Sequence, residues 1–134
     1  MKILFLCTGN SCRSQMAEGF ARHLGAEAFS AGTEPAERVH PLAIKVMAEK
    51  DIDLSGGQPK RLDQFLGQPL DVVITVCGNA EERCPAFPGT VRREHWPLPD
   101  PAKATGTEAE VLEFFRRVRD DVERRVAACL TDPP

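Results

Sequence analysis

The chain begins with an abrupt change from apolar to polar residues, and this change constrains the fold more than any other feature. The segment "KILFL" (residues 2–6) is short and apolar, as in a strand buried in a sheet. A polar stretch, 8–14, follows it directly. A helix is predicted from about Arg13 to Leu24, because Met16, Phe20 and Leu24 recur every four residues before Gly25 ends the pattern. The sequence therefore predicts a strand, a polar loop and a helix in immediate succession.

Further strands and helices alternate along the rest of the chain. Strands are predicted at 27–33, 71–77 and, more weakly, 92–95. Helices are predicted at 41–50, 62–65, 78–85 and 108–129. This alternation predicts an α/β fold, a three-layer sandwich with a small parallel sheet of about four strands flanked by helices. We expect residues 1–134 to form a single domain.

Composition narrows the classes of function. The 134 residues carry a net charge of −3, from 17 basic and 20 acidic side chains, so we expect no nucleic-acid partner. No apolar run approaches the roughly 20 residues of a membrane span, and the N-terminal run is too short for a signal peptide. We therefore expect a cytoplasmic protein, and a monomer without a cofactor. Five cysteines in a reducing compartment favour thiol chemistry or metal binding over structural disulfides.

The polar loop has the composition of an anion site. A loop between a strand and a helix N-terminus directs backbone N–H groups inward. Gly9 permits a tight turn, Asn10 tolerates a left-handed conformation, and Arg13 can hold two oxygens of an oxyanion. We expect the same field to lower the pKa of Cys7, and the Ser14 hydroxyl to donate to the Cys7 thiolate.

Three side chains with chemical capability each follow a predicted strand, although they are far apart in sequence. They are Cys7, Cys77 and Asp100. Ligands of parallel α/β sheets bind beyond the carboxyl ends of the strands. We therefore expect these three residues to lie together at one edge of the sheet.

The motifs also resemble a known family. "CTGNSCRS", with Asp100 and Pro101 far downstream, resembles the low-molecular-weight protein tyrosine phosphatase superfamily. The longer "LCTGNSCRSQMAEG", with "TVCGNAEERCP" and "HWPLPDPA", is similar to its thioredoxin-coupled arsenate reductase branch, in the same order over nearly the whole chain. The resemblance implies that Cys7 is the nucleophile, Asp100 the general acid, and Cys77 and Cys84 a redox pair. It also implies an oxyanion cradle formed by Thr8, Gly9, Asn10, Ser11, Cys12 and Arg13.

The resemblance further implies how the cysteines act. Cys7 attacks arsenate, Cys77 then forms a disulfide with Cys7 and releases arsenite, and Cys84 converts this bond into a Cys77–Cys84 disulfide that thioredoxin reduces. The alternative is a phosphatase that hydrolyses aryl phosphates. The chain has no tyrosine, and "DPAKATG" offers no aromatic residue to clamp a phenyl ring after the acid, which favours the reductase.

The redox pair also predicts a conformational change. If residues 78–84 are helical, the Cα atoms of Cys77 and Cys84 are roughly 10 Å apart. A disulfide requires about 4.4–6.8 Å. We therefore expect this helix to form in the reduced protein and to be lost when the disulfide forms.

The other conspicuous residues keep more than one interpretation. Cys12 either protects Cys7 from oxidation or packs under the loop, and packing is favoured. Cys129 is expected to be a buried hydrophobe, and Trp96 lies either in the core or in the pocket. A zinc site is a rival hypothesis, although Cys7 with Cys12 and Cys77 with Cys84 match no common zinc spacing. A thiol sensor without catalysis is another rival.

A potassium site is a weaker candidate. In relatives this cation lies near the cradle, and Asn10 and Glu18 match two of its ligands. Lys60 lies where a further oxygen ligand would be expected, so its ammonium group is a candidate replacement for the cation.

Overall fold

The structure, a computed structural model, describes residues 1–77 and 92–131. The strands are β1 (Lys2–Cys7), β2 (Glu27–Gly32), β3 (Val72–Thr75) and β4 (Arg92–His95). The α-helices are α1 (Arg13–His23), α2 (Pro41–Ala48) and α3 (Glu108–Thr131). Two short 3-10 helices span Leu62–Phe65 and Pro101–Lys103. The helix predicted at 78–85 lies outside the described residues.

The strands form one parallel sheet within the described part of the chain, in the order β2-β1-β3-β4. β1 is central, and its residues Ile3 to Leu6 are fully buried, as a strand covered on both faces requires. The predicted α/β fold with a four-stranded parallel sheet is confirmed. The parallel arrangement brings the carboxyl ends of β1 and β3 to the same edge.

One face of the sheet packs against α1 and α3. Ile3 and Phe5 of β1 point to this side and join the predicted apolar face of α1, which contains Met16 and Phe20. α3 supplies a buried stripe with three- and four-residue spacing, formed by Phe115, Val118, Val122, Val126 and Cys129. α2 packs against α3, so that all three α-helices share one core with this face.

The opposite face has its own, smaller core. Leu4 and Leu6 of β1 lie here with Leu62 and Phe65 of the first 3-10 helix. Cys77 belongs to this second core, whereas Cys7 belongs to the first. The two cysteines therefore approach the sheet edge from opposite sides.

The observed elements differ from the predicted ones mainly at their ends. α1 ends at His23, and Leu24, expected on its apolar face, is 52% exposed. The reason is that Gly25 adopts a left-handed conformation, with φ of 95°, and turns the chain away. α2 ends at Ala48 rather than Lys50, because Asp51 also turns left-handed. In the described ranges, no helix has the length and apolar character needed to span a membrane.

Trp96 lies in the core, which resolves its two interpretations. It is 5% exposed, and its ring packs against Phe5 with 5.8 Å between centroids. The indole N–H donates to the Glu94 carboxylate at 3.1 Å. Cys129 is buried as expected and also accepts a hydrogen bond from Arg92 at 3.3 Å.

An ion-pair cluster joins α2 to α3. Glu49, directly after α2, accepts hydrogen bonds from Arg116 at 2.8 Å and from Arg119 at 2.7 Å. The hydrogen bonds from Arg116, and then those from Arg119, lower the pKa of Glu49 from about 4.5 to about 2. Arg119 is itself buried, so Glu49 also neutralises a charge inside the helical layer.

Glu49→Gln should therefore lower the melting temperature by a few degrees at neutral pH. A carboxyl whose pKa is depressed in the folded protein stabilises it above the unfolded pKa, and this contribution is lost as the pH falls toward about 2. Thermal melts from pH 7 downward should thus show the two proteins converging below about pH 4.5. Glu113→Gln, at a more exposed carboxylate 3.4 Å from Arg116, is the control and should change little. A pH-independent difference would contradict this account.

Candidate active site

A cavity of about 390 Å³ opens at the edge of the sheet where β1 and β3 end. Its walls come from the polar loop, the end of β3 and the second 3-10 helix: Cys7, Thr8, Gly9, Ser11, Cys12, Arg13, Cys77, Asp100, Ala102 and Lys103. The structure thus brings Cys7, Cys77 and Asp100 together, as expected from their positions after predicted strands. Cys84 lies outside the described residues.

The polar loop owes its shape to the segment that runs beside it, residues 33–40. Backbone N–H groups of this segment donate to carbonyl oxygens of the loop at 2.8–3.2 Å: Thr33 to Cys7, Glu34 to Thr8, Ala36 to Gly9, and His40 to Ser11. These four loop carbonyls are thereby turned away from the cavity. Because a trans peptide carries its N–H opposite its carbonyl, the loop N–H groups face the other way, toward the cavity. This is the arrangement of an anion cradle.

Asn10 adopts the left-handed conformation expected for it, with φ of 52°. It is fully buried, and its side chain is bonded at both ends. The amide nitrogen donates to Ser14 Oγ at 2.8 Å, and the oxygen accepts from the backbone N–H of Lys60 at 2.9 Å. These bonds hold the loop open at the point where the backbone is least favourable.

Arg13 lies at the first position of α1 with its side chain 9% exposed. Nη1 donates to the carbonyl of Leu98 at 3.0 Å, and Nη2 lies 3.7 Å from the Asp100 carboxylate. Nε is buried without a hydrogen-bond partner among the described residues. A buried N–H donor without a partner is unfavourable, and an oxyanion oxygen in the cavity would satisfy it.

Cys7 and Cys77 line the same cavity. The neighbouring Cys77 thiol, followed by burial, raises the pKa of Cys7 above that of an ordinary thiol. Arg13 and the backbone N–H of Asn10 act in the opposite direction and are outweighed. The expectation of a lowered pKa for Cys7 is therefore wrong for this arrangement. The sequence showed the loop and its arginine but not the neighbouring thiol, and two adjacent sulfurs do not readily ionise together.

Asp100 both begins a short helix and lines the cavity. One oxygen accepts from the backbone N–H of Ala102 at 3.0 Å and so begins the second 3-10 helix. The side chain is 26% exposed and lines the cavity beside Arg13. The turn orients the carboxylate toward the place where a bound anion would lie.

Ser14 and Cys12 also lie at the cradle. Ser14 is fully buried and accepts the hydrogen bond from Asn10, and its donation to Cys7 stays a prediction. Cys12 precedes α1, is 3% exposed, and packs in the core while also lining the cavity. Burial raises the pKa of Cys12 to about 11, which keeps it a thiol at neutral pH.

A lysine ammonium group lies beside Glu18. Lys60 Nζ is 3.7 Å from the Glu18 carboxylate and donates to the Gln58 carbonyl at 3.0 Å. Ser30 donates to the same carboxylate at 2.8 Å. Across residues 1–77 and 92–131, no three His, Cys, Asp or Glu side chains are grouped as ligands of a metal ion.

Sequence reasoning missed two residues that shape the cradle. Gly32, at the end of β2, lies so close to the loop that a Cβ there would come within 2.4 Å of the Thr8 carbonyl. A glycine ending a strand was the available signal. Gln15 is 1% exposed and donates to Asn10, and a buried glutamine directly after "CRS" is conspicuous only once the contact is known.

Comparisons with known proteins agree with this geometry. A curated arsenate reductase of Bacillus licheniformis is 52% identical over 127 residues, which cover 92% of this chain and 91% of that protein. A solved arsenate reductase in the oxidized state has a TM-score of 0.83 and 38% identity, over 97% of this chain and 96% of the other. Another solved arsenate reductase, in the phosphate binding state, has a TM-score of 0.77 and 40% identity, over 95% of this chain and 94% of the other. Because residues 2–132 match the family described as low molecular weight phosphotyrosine protein phosphatase, this chain belongs to that family.

Proposed function

We propose that this protein is an arsenate reductase that uses Cys7, Cys77 and Cys84 in turn and takes its electrons from thioredoxin. The observation that carries the proposal is that Cys77 and Cys7 line one and the same phosphatase-type anion cavity. Hydrolysis needs one thiolate, whereas reduction needs a second thiol within reach of the first. The names of the similar proteins support the same activity.

Arsenate fits the cradle because it is a tetrahedral oxyanion of nearly the shape of phosphate. The loop N–H groups and Arg13 Nε supply donors for its oxygens. A similar structure in the phosphate binding state supports oxyanion binding at such a site. The local donors attract the anion against the net charge of −3.

The first chemical step joins Cys7 to arsenic. When the thiol pair has lost one proton, Cys77 keeps the other, and Arg13 and the Asn10 N–H favour the charge on Cys7. The Cys7 thiolate attacks arsenic, and an oxygen leaves as water with a proton from Asp100. The product is a thioester-like Cys7–arsenic adduct in which arsenic is still pentavalent.

The following steps transfer electrons. Cys77 loses its proton, for which the Asp100 carboxylate left by the first step is an acceptor in the same cavity, and its thiolate attacks Cys7 Sγ. The sulfur–arsenic electron pair stays on arsenic, and arsenite leaves. Arsenic gains two electrons, and the two thiols become a disulfide. Cys84 then attacks Cys77, which frees Cys7 and forms a Cys77–Cys84 disulfide for thioredoxin to reduce. One chain suffices for the cycle, as in a monomer, and a cytoplasmic thioredoxin system would drive it.

The decisive assay measures arsenate-dependent NADPH oxidation with thioredoxin and thioredoxin reductase, beside hydrolysis of p-nitrophenyl phosphate. We expect arsenate turnover to require the full thioredoxin system. Rapid p-nitrophenyl phosphate hydrolysis with no arsenate turnover would identify a phosphatase instead.

Cys77→Ser and Cys84→Ser should abolish multiple turnover of arsenate and spare p-nitrophenyl phosphate hydrolysis, since hydrolysis needs only the cradle thiol. Cys7→Ser should abolish both reactions. Cys129→Ser, at a buried residue of α3 that is not among the described residues lining the cavity, is the matched control and should retain both. Full turnover by Cys84→Ser with thioredoxin would contradict the three-cysteine relay.

Asp100→Asn should slow formation of the arsenic adduct by about 100-fold or more, because an amide cannot supply the proton. The amide oxygen can still accept from Ala102, so the 3-10 helix and the affinity for phosphate should be nearly unchanged. Single-turnover kinetics and phosphate titration measure the two quantities. A large loss of phosphate affinity would assign Asp100 to maintenance of the loop.

Potassium should not stabilise this protein, because Lys60 already provides a cation beside Glu18. Melting temperatures and arsenate KM values should be equal in potassium chloride and choline chloride at the same ionic strength. A potassium-specific rise in melting temperature would show that Lys60 does not replace the ion.

A further inference from the structure

Gln15 is a buried polar residue that the chemistry proposed above does not use. It lies in the first turn of α1 and is 1% exposed. Its amide nitrogen has two hydrogens and faces three oxygens: the Asn10 carbonyl at 3.1 Å, Asn10 Oδ1 at 3.2 Å and the Gln58 carbonyl at 3.1 Å. Gln15 therefore ties the anion loop to a separate part of the chain.

The target of these bonds is the strained point of the loop. Asn10 has a positive φ of 52°, which a residue other than glycine adopts only when its surroundings hold it there. The bonds from Gln15 reach both its main chain and its side chain, so they restrain the peptide as well as the amide group.

The same residue contributes directly to the cavity. Its chain neighbours Gly9 and Ser11 line the cavity with Cys7, and the Asn10 N–H lowers the pKa of Cys7 in opposition to Cys77. The carbonyl that Gln15 bonds belongs to the Asn10–Ser11 peptide, and the Asn10 N–H belongs to the peptide before it. A change in the backbone conformation of Asn10 would therefore reorient these two peptide groups relative to each other and alter the cradle. Gln15 is not among the described residues lining the cavity and can act on it only through Asn10.

We propose that Gln15 is a positioning residue that holds Asn10 in its left-handed conformation and so fixes the orientation of the two cradle peptides on either side of it. This inference rests on the proposed role of Cys7 as nucleophile. A simpler role, joining α1 to the 58–60 segment, would affect stability alone. That segment has other ties, since the Lys60 N–H donates to Asn10 and Lys60 Nζ pairs with Glu18 of α1.

Gln15→Met tests the proposal, because it keeps the length of the side chain and removes both donors. Two readouts separate positioning from simple stabilisation: the pH profile of Cys7 alkylation, resolved by mass spectrometry, and the dissociation constant for inorganic phosphate. We expect the Cys7 profile to shift to higher pH and phosphate to bind about three- to tenfold more weakly, as for one lost buried hydrogen bond. Gln15→Asn, one methylene too short for these contacts, should act in the same direction and serves if the first variant does not fold.

Gln58→Ala is the matched control, because Gln58 accepts the bond from Gln15 with its backbone carbonyl, which alanine retains. It should leave both readouts unchanged. If Gln15→Met and Gln15→Asn lower the melting temperature but leave the Cys7 profile and phosphate affinity as in the wild type, the proposal is wrong. Neither readout requires arsenate turnover, so a wild-type protein inactive on arsenate would refute the proposed function without deciding the role of Gln15.

Discussion

The site depends on one constraint, the outward orientation of the carbonyl oxygens in the loop after β1. Four of them are bonded to N–H groups of the 33–40 segment, and this leaves the loop N–H groups directed at the cavity. The cradle is therefore prepared before any anion arrives, which is the condition under which backbone dipoles stabilise charge most effectively. Gly32 belongs to the same constraint, because only a residue without a Cβ lets β2 pass so close to Thr8.

The second organising feature is the position of Cys77 at the boundary between the two cores. It reaches Cys7 from the opposite face of the sheet, and its Sγ lies 3.2 Å from the Thr8 hydroxyl. The nearby Cys77 thiol raises the pKa of Cys7. In the reductase cycle proposed above, the same position would supply the second thiol.

Most of the fold could be predicted from the sequence, because buried strands appear as short apolar runs and amphipathic helices as apolar residues repeated every three or four positions. The four-residue spacing of Met16 and Phe20 was enough to predict α1. The parallel sheet explains why Cys7 and Asp100 lie at the same edge. The features that the sequence did not predict depend on contacts between distant residues or on local turns. The exposure of Leu24 depends on a turn at Gly25, and the contacts of Gln15 depend on a segment more than 40 residues away. The raised pKa of Cys7 likewise arises from a neighbour 70 residues distant in sequence, which no local pattern encodes.

The bonds between the loop and the 33–40 segment determine how much of the chain the anion site requires. The loop residues are contiguous, yet the donors that shape them lie beyond β2, so the cradle is a tertiary structure rather than a local turn. The pairing of β2 with β1 lays this segment alongside the loop. A peptide comprising only β1, the loop and α1 would contain every residue of the anion motif and still lack its geometry. Oxyanion binding should accordingly require the chain at least through the 33–40 segment.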